Sequence, residues 1–134
     1  MEDVIELLKE KSQPVPVPLE LPDEDDLVVV EEEILISLPD DYKLFLLEVS
    51  DVIYGSLEPA TAMDPQSHTY LPDMAANAWD IGMPREYIPI CQHDDGFYCI
   101  TQEGEILHWS ESSASIEDEW PSIWNWATDV WLES

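Results

Sequence analysis

A chain of 134 residues with 45% hydrophobic content, six tryptophans and five tyrosines is long enough to bury a core unaided and too aromatic to be disordered. Thirty-one acidic residues face four basic ones, Lys9, Lys11, Lys43 and Arg85, for a formal net charge of -27. That balance repels nucleic acid and anionic membrane, whose binding depends on lysine and arginine, and no apolar run approaches the roughly 18 residues of a membrane span.

The first elements follow from periodicity. Met1–Ser12 reads as a short helix with Val4, Ile5, Leu7 and Leu8 on one stripe and Lys9 and Lys11 near its negative end. It opens on acidic residues and lacks the apolar stretch of a secretory signal, so a cytoplasmic protein is expected. The segment QPVPVPLELPDEDD follows, and its prolines Pro14, Pro16, Pro18 and Pro22 favour an extended arm. LVVVEEEILIS, Leu27–Ser37, fits two readings. Its β-branched residues suit a strand, while Leu27, Val30, Ile34 and Leu38 fit a helical face that Asp26 would cap.

LPDDYKLFLLEVSD, Leu38–Asp51, is the clearest helix. Pro39 suits its first position, Asp40 and Asp41 its positive end, and Tyr42, Phe45, Leu46 and Val49 recur at helical spacing. Between Tyr54 and Pro89 the chain is broken by prolines. A short strand over Ile53–Leu57 and a helical turn over Met74–Trp79 are the expected elements there.

The stretch IPICQHDDGFYCITQEGEILHW, Ile88–Trp109, reads as a three-stranded antiparallel meander. Its strands are Ile88–Gln92, Phe97–Thr101 and Ile106–Trp109, with turns at Asp95-Gly96 and Glu103-Gly104. A polar loop follows, and WPSIWNWATDVWLES closes the chain as an amphipathic helix with Pro121 in its first turn and Glu117–Glu119 ahead of its positive end. Helices packed on an antiparallel or mixed sheet make an α+β layout. One domain over 1–134 is expected, with a helix and proline-rich arm over 1–25 and the core over 26–134.

These blocks resemble a known family. LPDDYKLFLLEVSD resembles the LPxxYxxFLxxxNGG block of the SUKH superfamily, which includes fungal regulators of cell-wall synthesis. IPICQHDDGFYCI resembles its central strand pair, GEILHW its GxVxxW strand, and WPSIWNWATDVW its C-terminal helix. The resemblance covers about Asp26 to Leu132. This chain has SD where the family has NGG, and its lead-in lacks the usual Glu-Leu-Gly ending. The resemblance implies a mixed sheet flanked by helices. It also implies an immunity protein that binds and neutralises a bacterial toxin, often a nuclease, and it supplies no catalytic residues.

Other chemistries fit the residues less well. Cys91, His93, Asp94 and Cys99 are zinc-ligand types, but their spacing matches no finger or knuckle, and small core cysteines beside a turn histidine explain them. A disulfide between Cys91 and Cys99 is geometrically open, although a cytosolic chain commonly keeps its thiols reduced. Asp94-Asp95 with His108 would make an acid and a base, yet hairpin and strand packing account for them. No catalytic residue, metal or cofactor is expected.

Trp109 and Trp131 read as core, while Trp79 and Trp124 are open to either role. The charge exceeds the magnitude of about 2–8 that solubility of a small domain asks for. Acidic clusters at Asp23–Asp26, Glu31–Glu33 and Glu111 with Glu117–Glu119 therefore point to a basic protein partner, a toxin domain under the family reading. The expected binding residues are His93, Asp94, Asp95, Glu103, Glu105, Glu111, Glu117, Asp118, Glu119 and Trp124, on loops at one edge of the sheet. A regulatory or scaffolding module of the same fold, or a small hydrolase or ligand-binding protein, are the alternatives.

Overall fold

A computed structural model describes residues 2–16, 20–93, 96–113 and 115–134, with Glu117 described by its backbone alone. The elements in chain order are α1 Glu2–Lys11, α2 Glu24–Ile34, α3 Asp40–Val49, α4 Leu71–Asp80, β1 Ile88–His93, β2 Gly96–Ile100, β3 Ile106–Ser110, β4 Ser115–Trp120 and α5 Ile123–Trp126, which runs into a π-helical turn, Ala127–Trp131. Asp94 and Asp95, at the expected first hairpin turn, lie outside the described residues.

The ambiguous segment is a helix. Its cap is Asp23 rather than Asp26. The Asp23 carboxylate accepts from the Asp26 N–H at 2.9 Å, and the Asp26 carboxylate accepts from the Asp23 N–H at 2.9 Å. This reciprocal box satisfies two backbone donors and starts the helix three residues early. Leu27, Val30 and Ile34 are buried along one face, while Val28 and Val29 are about half exposed. The helix stops at Leu35, which adopts φ 60 and donates its N–H to the Glu31 carbonyl at 2.9 Å. In α3, Pro39 is the N-cap residue rather than the first helical one. Tyr42, Phe45, Leu46 and Val49 are all buried, as their spacing requires.

Two middle expectations change. α4 is a full helix, because Pro72 lies in its first turn, where no helical N–H is needed. The expected strand over Ile53–Leu57 does not form. Gly55 turns at φ 62 against the C-terminal residue, where a Cβ would lie 2.9 Å from the Ser134 carbonyl oxygen. Only single bridges occur nearby, Pro59 with Cys91 and Thr61 with Tyr70.

The sheet is an antiparallel meander of four strands in the order β1-β2-β3-β4 among the described residues. The added strand is SIEDEW, in which the expected acidic loop, Glu117–Glu119, is strand. Acidic residues are poor strand formers in general, but an edge strand with solvent on one side accommodates them. Across the sheet, Tyr98 pairs with His108 and His108 with Asp118, and Cys99 pairs with Leu107 and Leu107 with Glu119. Neighbouring rows point to opposite faces. Gly96 is required by close approach rather than by its backbone angle, since a Cβ there would collide with the Trp109 carbonyl oxygen.

The C-terminal segment departs from a regular α-helix. Pro121 lies outside it, Ser122 caps it by accepting from the Asn125 N–H at 3.2 Å, and four α-helical residues give way to the π-helical turn. The Leu132 N–H bonds the Ala127 carbonyl at 2.8 Å, a spacing of five. That spacing stacks residues five apart, so Trp126 and Trp131 pack at 6.2 Å, which an α-helix would prevent.

Phe45 is the meeting point of the core. Its ring lies 5.9 Å from Trp124, 6.5 Å from Trp126 and 5.7 Å from Trp131. Trp126 in turn meets Tyr98 of β2 at 5.4 Å, which joins α3 and the C-terminal segment to one sheet face. The Tyr42 hydroxyl is fully buried beside this cluster, with no hydrogen-bond partner among the described residues. Phe45→Ala is expected to cost about 3–5 kcal/mol, the range for a large aromatic core truncation. Tyr42→Phe removes a buried hydroxyl that bonds nothing and should leave stability equal or higher by about 1 kcal/mol. Urea unfolding of both variants checks the contrast, and a Tyr42→Phe protein weaker than wild type would show that the hydroxyl has a partner.

Candidate partner-binding surface

Because consecutive strands run in opposite directions, the β1–β2 and β3–β4 connections lie at one end of the sheet and the β2–β3 turn lies at the other. The residues expected to bind together are therefore divided. Glu111 is exposed at the first end. His93 is near it but half-buried, stacked on Tyr98 at 5.3 Å and edge-on to His108 at 5.8 Å. Its ring extends the aromatic row on the α3-facing side of the sheet instead of projecting from a turn.

Trp124 is excluded from the surface. It is 8% exposed and packs on Phe45, so it is core. Trp109 and Trp131 are core as their spacing suggested, at 2% and 1% exposure. Trp79 is half-buried beneath the Arg85 guanidinium, whose carbon lies 4.5 Å from the ring centre. Asp118 and Glu119 are exposed on β4 but point to opposite faces, and Asp118 shares its row with His108 and Tyr98.

At the other end of the sheet the expected residues do converge. Glu103, Glu105 and Glu119 line a groove of about 330 Å³ together with Glu86, Tyr87 and Leu107. The β2–β3 turn is held rigidly there. The Thr101 hydroxyl accepts from the Glu103 N–H at 3.2 Å and the Glu105 N–H at 3.3 Å. Gly104 closes the turn at φ 95, an angle that favours glycine, and donates its N–H to the Thr101 carbonyl at 3.0 Å. The Gln102 side chain ties the turn to the Ser37 carbonyl at 3.2 Å. Partial burial, then the neighbouring Glu86 carboxylate, and also Glu105, push the Tyr87 phenol above its ordinary pKa. Glu86 and Tyr87 were missed in the sequence because they fall in the proline-broken stretch. Their position directly before a strong strand, an acid next to an aromatic, was the available signal.

Little of the acidic charge is neutralised internally. Among the described residues two carboxylates pair with lysine, Glu48 with Lys9 at 3.0 Å and Glu31 with Lys43 at 3.8 Å, and Glu58 shares a hydrogen bond with His68 at 2.6 Å. The groove at Glu86, Glu103, Glu105 and Glu119 thus presents negative charge around an aromatic and an aliphatic side chain. Such a surface suits a lysine or an arginine fork that also brings apolar stem to bury.

The cysteines offer no comparable chemistry. Both are free and buried. Burial pushes each thiol up to about 12, so neither is an activated thiolate. No group of three metal-ligating side chains occurs among the described residues. No described helix is long and apolar enough to cross a membrane.

Comparison with known proteins agrees with the fold. The SUKH_5 family model, described as SMI1-KNR4 cell-wall, matches residues 1–132. The chain belongs to this family. None of the curated proteins matches the SUKH chain. A crystal structure of a protein from Pseudomonas syringae pv. tomato is 59% identical over 100% of both chains, with a TM-score of 0.95. The match from residue 1 takes in α1 and the segment after it, whereas the motifs legible in the sequence begin near Asp26. That is consistent with Leu8 of α1 lying in the common core.

The thiol shifts have a consequence for stability. An unfolded cysteine gives up its proton near 9.0, while these hold theirs to about 12 when folded. Their contribution is fully present below pH 9 and is lost as pH rises from about 9 toward about 12, because the unfolded chain releases protons first. Tyr42, raised by burial and then by Cys91, acts in the same direction. Urea unfolding at steps from pH 8 to 11 should show stability falling, with a shallower fall in a Cys91→Ala/Cys99→Ala protein. An unchanged slope would mean that the thiols are hydrated in the folded chain.

Proposed function

We propose that this SUKH protein is a non-catalytic binding protein of the cytoplasm that neutralises a basic toxin domain, of the nuclease kind, by covering its working surface. The observation that carries this reading is the convergence of Glu86, Glu103, Glu105 and Glu119 around Tyr87 and Leu107. Family membership supports a binding role, since the resemblance implies immunity among bacterial members. The net charge of -27 supports a partner of opposite sign.

The parts divide by task. The carboxylates draw in a basic surface at long range and set its orientation. Tyr87 and Leu107 give the contact an apolar centre that is shielded from water once covered, where aromatic anchors contribute most. The rigid β2–β3 turn lowers the entropy that binding would otherwise cost. A nuclease surface built to hold phosphate is basic, so an acidic groove that occupies it excludes the nucleic acid.

The test uses a tagged chain to capture partners from bacterial lysate, washed at low and then high salt, followed by kinetics on the captured toxin domain. Association should slow steeply as ionic strength rises. A Glu103→Gln/Glu105→Gln/Glu119→Gln protein should associate about tenfold more slowly at low salt, with dissociation changed far less. Binding that is indifferent to both salt and these substitutions would place the interface elsewhere.

A further inference from the structure

A second concave site lies away from the acidic groove. The loop that follows α3, the Ser67–Thr69 turn before α4, and Trp131 enclose a pocket of about 240 Å³. Its apolar lining comes from Val49, Val52, Leu57 and Trp131. Its polar lining is a chain of hydroxyls, with Thr61 3.0 Å from Thr69 and Thr69 2.9 Å from Ser67. Thr61 and Thr69 are 8% and 7% exposed and bonded to each other, which leaves acceptor lone pairs on their oxygens for a donor that reaches them.

The walls are fixed before anything binds. The Trp131 indole N–H donates to the Tyr54 carbonyl at 3.2 Å, and the Tyr54 hydroxyl donates to the Leu132 carbonyl at 3.2 Å. Gly55 admits Ser134 where any side chain would collide. The Thr61 N–H bonds the Thr69 carbonyl at 2.8 Å and the Leu71 N–H bonds the Thr61 carbonyl at 2.8 Å. Trp131 is also the last residue of the π-helical turn, a form of backbone that recurs at functional sites.

Charge selects the ligand. The lining has one carboxylate, Glu58, one imidazole, His68, and neither lysine nor arginine. Their pair, at 2.6 Å, is more than half exposed, and both residues also line a more open neighbouring pocket with Met74 and Gln92. The carboxylate is thus at the boundary between the two, reachable from solvent and from inside. The volume is below the range of about 300–1,000 Å³ for drug-sized ligands. We infer that this pocket binds a small organic cation, a short alkylguanidinium or alkylammonium, with its chain against Ile53 and Leu57 and its head between Glu58 and the threonine hydroxyls. The site is independent of the acidic groove and of the toxin reading.

The test is a titration of the 15N-labelled protein with n-butylguanidinium, with n-pentanol and pentanoate as neutral and anionic comparators. The cation should shift the Trp131 indole and the Ser67–Thr69 amides, and neither comparator should match it at equal concentration. Glu58→Gln should weaken binding at least tenfold. His68→Ala, which frees Glu58 from its present partner, should bind as tightly or more so. Both side chains are mostly exposed, so both variants keep the fold. No shift with the cation, equal shifts with pentanol, or an unaffected Glu58→Gln protein would each overturn the assignment.

Discussion

Phe45 holds this protein together. Three tryptophans from the C-terminal segment surround its ring, and through Trp126 the contact passes to Tyr98 in the middle of the sheet. A residue from the first half of the chain thereby fixes the last dozen residues, and they in turn fix the sheet. Aromatic rings offset or edge-on at these separations contribute beyond their buried area. The π-helical turn belongs to the same constraint, because it brings Trp131 around to join Trp126 against Phe45. Without the extra residue per turn, one of the two would face solvent.

That core leaves the surface unconstrained by packing, and the acidic residues occupy it at helix starts, turns and the sheet edge. Asp23 to Asp26 cap α2, Asp40 and Asp41 begin α3, and Glu103 and Glu105 flank the β2–β3 turn. Each position is one where a carboxylate is compatible with the local backbone. Their sum is a protein whose core is aromatic and whose surface is acidic, with little overlap between the two sets.

Much of this was legible in the sequence wherever a segment answers to a single requirement. Tyr42, Phe45, Leu46 and Val49 need only one buried helical face, and the Asp95-Gly96 and Glu103-Gly104 turns mark the central strands. The readings stayed open or failed where two requirements compete. LVVVEEEILIS carries strand-forming side chains on a helical period, and the reciprocal Asp23–Asp26 cap outside it decides for helix. SIEDEW has the composition of a loop and becomes a strand because β3 offers it an unpaired edge, a tertiary fact. Trp124, open to either role in the sequence, is settled as core by its contact with Phe45, a tertiary fact. The division of the expected binding residues between the two ends of the sheet was visible in strand direction alone. Their convergence with Glu86 and Tyr87 was not, since that depends on where a proline-broken stretch returns to the sheet.

The acidic edge strand has one more consequence. A terminal strand offers unpaired backbone groups to any passing chain, including another molecule of the same protein. Two such edges brought together here would set Asp118 and Glu119 of one copy against those of the other, and like charges directly opposite oppose the pairing. At this edge the strand's own charge works against pairing between copies.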